Sequence, residues 1–144
     1  MNVINLPHHS NRAPAAVGLY PHARQVDQLL FLSGVGPRQK NSTDIPGVEL
    51  NAHGEIISYD IKIQTINVFN NVKMILEDCG SCWENLIDVT VFLTNMKKDF
   101  STYNELYAEY FKTCQPTRTT IEISALPTPI AIELKCIALM KKGF

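Results

Sequence analysis

Residues 86–94, LIDVTVFLT, alternate along their whole length: Ile87, Val89, Val91 and Leu93 fall on one side, Leu86, Asp88, Thr90 and Phe92 on the other. Successive side chains of a strand point to opposite faces, so the segment reads as a strand with one face toward a core. What flanks it decides the fold. Upstream, Ile61, Val68, Val72, Ile75, Leu76 and Cys79 recur at helical spacing behind Ser58 or Asp60 as a cap, and Gly80 ends the run. Downstream, Phe100, Tyr103, Leu106, Tyr107, Tyr110 and Phe111 make a second amphipathic stripe within residues 99–113, closed by Gln115-Pro116. The strand therefore lies between two helices.

Farther out, residues 22–26 and 29–33 are strand-like runs on either side of Asp27-Gln28, a tight antiparallel turn, and Gly34 and Gly36-Pro37 stop the second run. Residues 117–123 and 130–140 are the last two strands. Strands, helix, strand, helix and two strands predict a single α+β domain over residues 1–144, with a mixed, mostly antiparallel sheet and both helices on one face. The other face is not polar, since Leu86, Phe92, Ile137 and Leu139 also need cover; two helices cannot cover both sides, so other subunits are expected to. Residues 38–54 read as a long polar loop of the kind that often carries function, and residues 1–14 as a mobile or partner-docked arm.

Composition narrows the function. Thirteen Lys plus Arg against fourteen Asp plus Glu give a net charge of −1, with no run longer than two lysines, so the basic stripe that nucleic acid requires is missing. No apolar run approaches the roughly 20 residues that span a bilayer, and the N-terminus lacks the continuous apolar segment of a secretory signal, so cytoplasm is the expected compartment. Cys79-Gly-Ser-Cys82 has redox or zinc spacing, but Cys79 closes a helix where the dipole disfavours a thiolate, and Cys114 and Cys136 stand alone; the thiols read as buried apolar groups, with no metal. His8, His9, His22 and His53 form no zinc motif, and no serine-hydrolase elbow or phosphate-cradling loop occurs.

Two residues stand out. Arg118 is one of four arginines and sits in a short strand after Pro116, where a planar guanidinium suits bidentate capture of a carboxylate; an edge arginine paired with a surface acid is the plainer alternative. Glu133 lies inside the most apolar segment of the C-terminal half, where a carboxylate is costly unless paired or functional; an outward pair with Lys135 is its plainer alternative. A simple hairpin about Ala125-Leu126 sets Arg118 opposite Glu133, although Pro127 and Pro129 can equally carry the last strand elsewhere in the sheet.

Pro116-Thr-Arg118, Leu126-Pro127, Ile132-Glu133-Leu134 with Ile137-Ala138, and Leu32-Ser33-Gly34 upstream together resemble the RidA (YjgF) family of small enamine and imine deaminases, from residue 16 to residue 140. Residues 18–22, residues 32–38 and the polar loop look most like its 2-aminomuconate deaminase branch, which serves aromatic-compound degradation. The resemblance implies a chorismate-mutase-like fold, a homotrimer that could pair into a hexamer, ligand clefts between subunits, and last strands that are not neighbours. It implies that Arg118 binds the substrate carboxylate, that Glu133 positions the hydrolytic water, and that Tyr20 and Ser33 line the cleft. Thr120 stands where the family often has cysteine, which removes a thiol role.

The expected ligand is a small unsaturated amino dicarboxylate, with no organic cofactor, no nucleic acid and no membrane. Backbone N–H groups near Gly34 and Thr119 are expected to assist Arg118, and Arg38 to meet the second carboxylate, with His22 and Arg24 in reserve. A broad imine deaminase and a non-catalytic carboxylate-binding trimer are the alternatives.

Overall fold

Helix α1 (Ile61–Asp78) forms where the periodicity sets it: the Asp60 carboxylate accepts from the backbone N–H groups of Lys62 and Ile63, and Gly80, at φ +88°, turns the chain away. The chain is described by a computed structural model over residues 2–142; Met1, Gly143 and Phe144, the extremes of the expected domain and arm, lie outside the described residues. Strands β1 (Asn5–His8), β2 (Ala23–Val26), β3 (Leu29–Leu32), β6 (Leu86–Leu93), β7 (Thr117–Glu122) and β8 (Ile132–Leu139) form one sheet in the order β1-β2-β3-β8-β6-β7. β6 and β7 are parallel and the other pairs antiparallel. Helix α2 (Met96–Tyr110) and α1 pack together on one face. Val68, Val72 and Leu76 of α1, Tyr103 of α2, Val89 and Val91 of β6 and Leu134 of β8 are fully buried between the layers. Each such aliphatic side chain contributes about 1.5–3 kcal/mol.

The structure corrects three expectations. The polar N-terminal segment supplies a strand, β1, on the edge of β2. The long loop is not wholly irregular: it contains β4 (Val48–Leu50), which forms a hairpin with β5 (Ile56–Tyr59) just beyond it, tied to α2 where the Tyr59 hydroxyl donates to Asp99 Oδ2 at 2.5 Å. A register shift between Leu86 and Asp88 breaks the alternation of β6, so Leu86 turns into the core and Ile87 out of it, the reverse of their expected sides. Of the two placements left open for the last strands, the hairpin does not form and the one the resemblance implies does: β6 lies between β7 and β8, and the segment after β7 crosses over it.

The face away from the helices carries Phe31, Phe92, Ile137, Leu139 and Ile121, with Leu139 and Ile121 exposed. No helix among the described residues is long and apolar enough to cross a membrane.

Candidate active site

The first half of the site is built at the end of β3. Ser33 is anchored twice to the strand-entry loop, its N–H donating to the His22 carbonyl at 3.0 Å and its hydroxyl to the Pro21 carbonyl at 2.7 Å. Beyond it, Val35 and Leu134 exchange backbone hydrogen bonds of 2.8 and 2.9 Å, which hold Gly34 beside Glu133 on β8. A Cβ on Gly34 would lie 2.8 Å from Glu133 Oε2 and 2.9 Å from its carboxyl carbon. Only glycine lets the carboxylate come so near the backbone.

Glu133 is half-buried, and burial holds its carboxyl above the ordinary pKa. Among the described residues it has neither a hydrogen-bond nor an ion-pair partner. Lys135, which shares its face, donates instead to the Leu32 carbonyl at 2.6 Å, so the outward Glu133–Lys135 pair does not form.

Tyr20, His22, Ser33, Gly34 and Arg38 line one cleft with Ala15 and Ala16. It has room for about 40 Å³, enough for a few waters but not for a six-carbon acid within one chain. His22 Nδ1 accepts from the Ser10 N–H at 3.1 Å and its Nε2 meets the Pro14 carbonyl at 2.8 Å; this pattern assigns the proton to Nε2 and uses both nitrogens to clasp the N-terminal segment. As a reserve cation His22 is therefore already committed. Arg38 Nη2 donates to the Ala15 carbonyl at 2.9 Å, and the half-exposed Tyr20 accepts from the Val17 N–H. Arg24, the other reserve, is outside this cleft, with its Nε donating to Asn5 Oδ1 at 2.7 Å.

The second half lies at the opposite edge of the sheet. Arg118 of β7 stands in register with Val89, on the helix face, and its guanidinium sits 4.5 Å from the centre of the Tyr107 ring and 5.7 Å from that of Tyr103. Its Nη1 donates to Asn104 Oδ1 at 2.9 Å. No carboxylate among the described residues pairs with it, so the surface-acid alternative is not what forms. Thr119, one place along, is exposed on the other face, in register with Thr90 and through it with Lys135.

In one chain, then, Arg118 and Glu133 are not brought together. They are two strands apart, about 10 Å, and offset by three residues, about another 10 Å, with side chains on opposite faces. Asn104 carried no signal in the sequence, and Tyr107 was legible only as packing. Cys79 and Cys136 are buried thiols, Cys79 pushed up to about 11 by desolvation.

Residues 10–140 match the family described as endoribonuclease L-PSP. A RutC family protein of Pyrococcus abyssi is 36% identical over 129 residues, covering 90% of this chain and 92% of the relative. The chloroplastic Reactive Intermediate Deaminase A of Arabidopsis thaliana is also 36% identical over 129 residues, 90% of this chain and 63% of its own. Among solved structures, yeast Mmf1 superposes with a TM-score of 0.82 at 29% identity, over 96% of this chain and 100% of that one. E. coli TdcF with bound serine superposes at 0.80 and 28%, over 94% and 99%.

Proposed function

The chain belongs to the RidA (YjgF) family, that of the endoribonuclease L-PSP match, and on this premise we propose that it hydrolyses the imine or enamine of a small α-carboxylic acid, releasing ammonia. The observation that carries the reading is Glu133: a desolvated carboxyl, without a partner among the described residues, laid against Gly34 beside the cleft of Ser33 and Tyr20. A carboxyl held above its ordinary range can accept a proton from water and return it to a leaving nitrogen. Water oxygen bonds to the C=N carbon while one of its protons passes by way of Glu133 to nitrogen, giving a carbinolamine; Glu133 then takes the remaining hydroxyl proton and returns it to nitrogen, and the C–N bond breaks to leave the carbonyl and ammonia. Arg118, paired with no carboxylate among the described residues, supplies the cation for the substrate's own, and backbone N–H groups at Gly34 and Thr119 add donors. Two comparisons support the chemistry: one relative is named a reactive intermediate deaminase, and one structural relative holds serine, an α-carboxylic amino acid.

A single small ligand cannot reach both residues within one chain, so the reading requires a second copy to bring its β7 edge to this cleft. The apolar open sheet face, with Phe31, Phe92 and Ile137, is the surface such copies would cover, in a homotrimer or a pair of trimers.

The narrower form of the proposal is 2-aminomuconate as substrate, giving 4-oxalocrotonate. Arg38 favours it, because a second guanidinium at the cleft, bound among the described residues only to the Ala15 carbonyl, suits a second carboxylate. Mixing the protein with freshly generated 2-aminomuconate, or with 2-iminobutyrate, and following ammonia separates the forms. A strong preference for the dicarboxylate supports the narrower one, equal rates support a broad deaminase, and no acceleration of either overturns both.

A further inference from the structure

The shell around Arg118 has a property that the proposed reaction leaves unused: among the described residues, every group that holds the guanidinium is neutral. Asn104 Oδ1 accepts from Nη1 at 2.9 Å, and the rings of Tyr107, Tyr103 and Phe100 lie 4.5, 5.7 and 6.0 Å from the guanidinium carbon. Asp88, one register place away, is turned to the other face and accepts from the Thr117 hydroxyl at 2.6 Å. Around the same shell the hydroxyls of Tyr103, Tyr107 and Thr120 are buried without hydrogen-bond partners among the described residues. Such a shell is an unusual way to keep a cation. An internal carboxylate would bind it more strongly, but would also use up its charge and its paired N–H edge. Aromatic faces and one amide oxygen fix its direction and leave both.

We propose that Asn104 and Tyr107, three residues apart on α2 and thus neighbours on its surface, are positioning residues for Arg118: they hold the guanidinium in line for a ligand carboxylate without neutralising it. The inference rests on the reading of Arg118 as the carboxylate clamp. It makes the identity of a side chain that touches no substrate a determinant of affinity for the carboxylate end of the ligand, whatever the rest of the ligand is.

Asn104→Asp tests it with almost no change in shape. The variant offers Arg118 an internal anion in the same place, so it is expected to keep or raise Tm while KM for an α-imino acid rises about 5–10-fold with kcat within about twofold. A role in packing alone predicts the same Tm and an unchanged KM, and that result would overturn the proposal. Tyr107→Leu is expected to raise KM about 3–10-fold, and Tyr107→Phe, which returns the ring face without the hydroxyl, to recover most of the loss; no recovery in a folded Phe variant counts against the aromatic platform. Binding of 2-oxobutyrate, measured by calorimetry, distinguishes failure here from failure of the deaminase reading. If the parent binds this monocarboxylate but turns over no imine, the reaction is wrong and weaker binding by Asn104→Asp still supports the cradle. If binding is equal in parent and variant, the cradle is wrong even if imines are hydrolysed.

Discussion

The two halves of the candidate site treat charge in opposite ways. At the end of β3, Glu133 is pressed against a glycine, has no partner among the described residues, and is destabilised as an anion by burial. At the β7 edge, Arg118 is surrounded by aromatic rings and an amide, so its charge is supported but not cancelled. Had the last two strands formed a hairpin, the two would have paired and neither would have been poised for chemistry. Keeping a carboxyl and a guanidinium on opposite faces of one chain preserves both, and under the proposed function their meeting is left to a second copy.

The comparison breaks most directly in a mixing experiment. Arg118→Ala should lose about 2–5 kcal/mol in kcat/KM, and Glu133→Ala should lose turnover at least as severely. If the halves come from different copies, chains of the two inactive variants exchanged into mixed trimers should regain about a quarter of the parent sites. A mixture that stays as dead as its components puts the site within one chain.

Glu133→Gln sharpens the acid half. Turnover should fall about 100-fold or more. Because the folded chain binds the Glu133 proton more tightly than the unfolded one, the stability that proton linkage provides is present below the ordinary carboxylate range and is lost as pH rises through the raised folded value. The Tm of Glu133→Gln relative to the parent should therefore improve from pH 4 to pH 7.5; an advantage that shrinks over that range contradicts the desolvated carboxyl.

Gly34→Ala is next in size. Its Cβ cannot coexist with Glu133 where it stands, and a displacement of an ångström or less at a reacting group costs about 10–100-fold in kcat/KM. Unchanged kinetics in a folded Gly34→Ala chain would mean that the carboxylate does not work from this position. Arg38→Ala should have the smallest effect, about tenfold on a dicarboxylate imine and little on a monocarboxylate one. Equal losses on both would reject the second clamp and, with it, the dicarboxylate form of the proposal.

Local patterns and global arrangement parted at identifiable residues. The cap at Asp60, the turn at Asp27-Gln28 and the stripe from Tyr103 to Phe111 were legible because each depends on neighbours in sequence. β1 and the β4–β5 hairpin were not, because strands of three or four residues with no buried position, in which even the apolar Ile56 and Ile57 are exposed, carry no core-facing pattern and are ordered by partners elsewhere. Leu86 and Ile87 were read on the wrong sides because one register shift inverts alternation, and no residue type marks a shift.

By itself the chain's order of residues determined an α+β layer, its two helices, and the oddity of a lone arginine in a threonine-rich strand and of a glutamate in an apolar one, since those follow from periodicity and the cost of buried charge. Only the folded molecule decided between the two placements left open for β8, with β6 separating those two, and showed that among the described residues Lys135 leaves Glu133 unpaired and that Asn104 and Tyr107 hold Arg118. Which strand lies beside which is set by burial across the whole sheet, and no local stretch of sequence contains that sum.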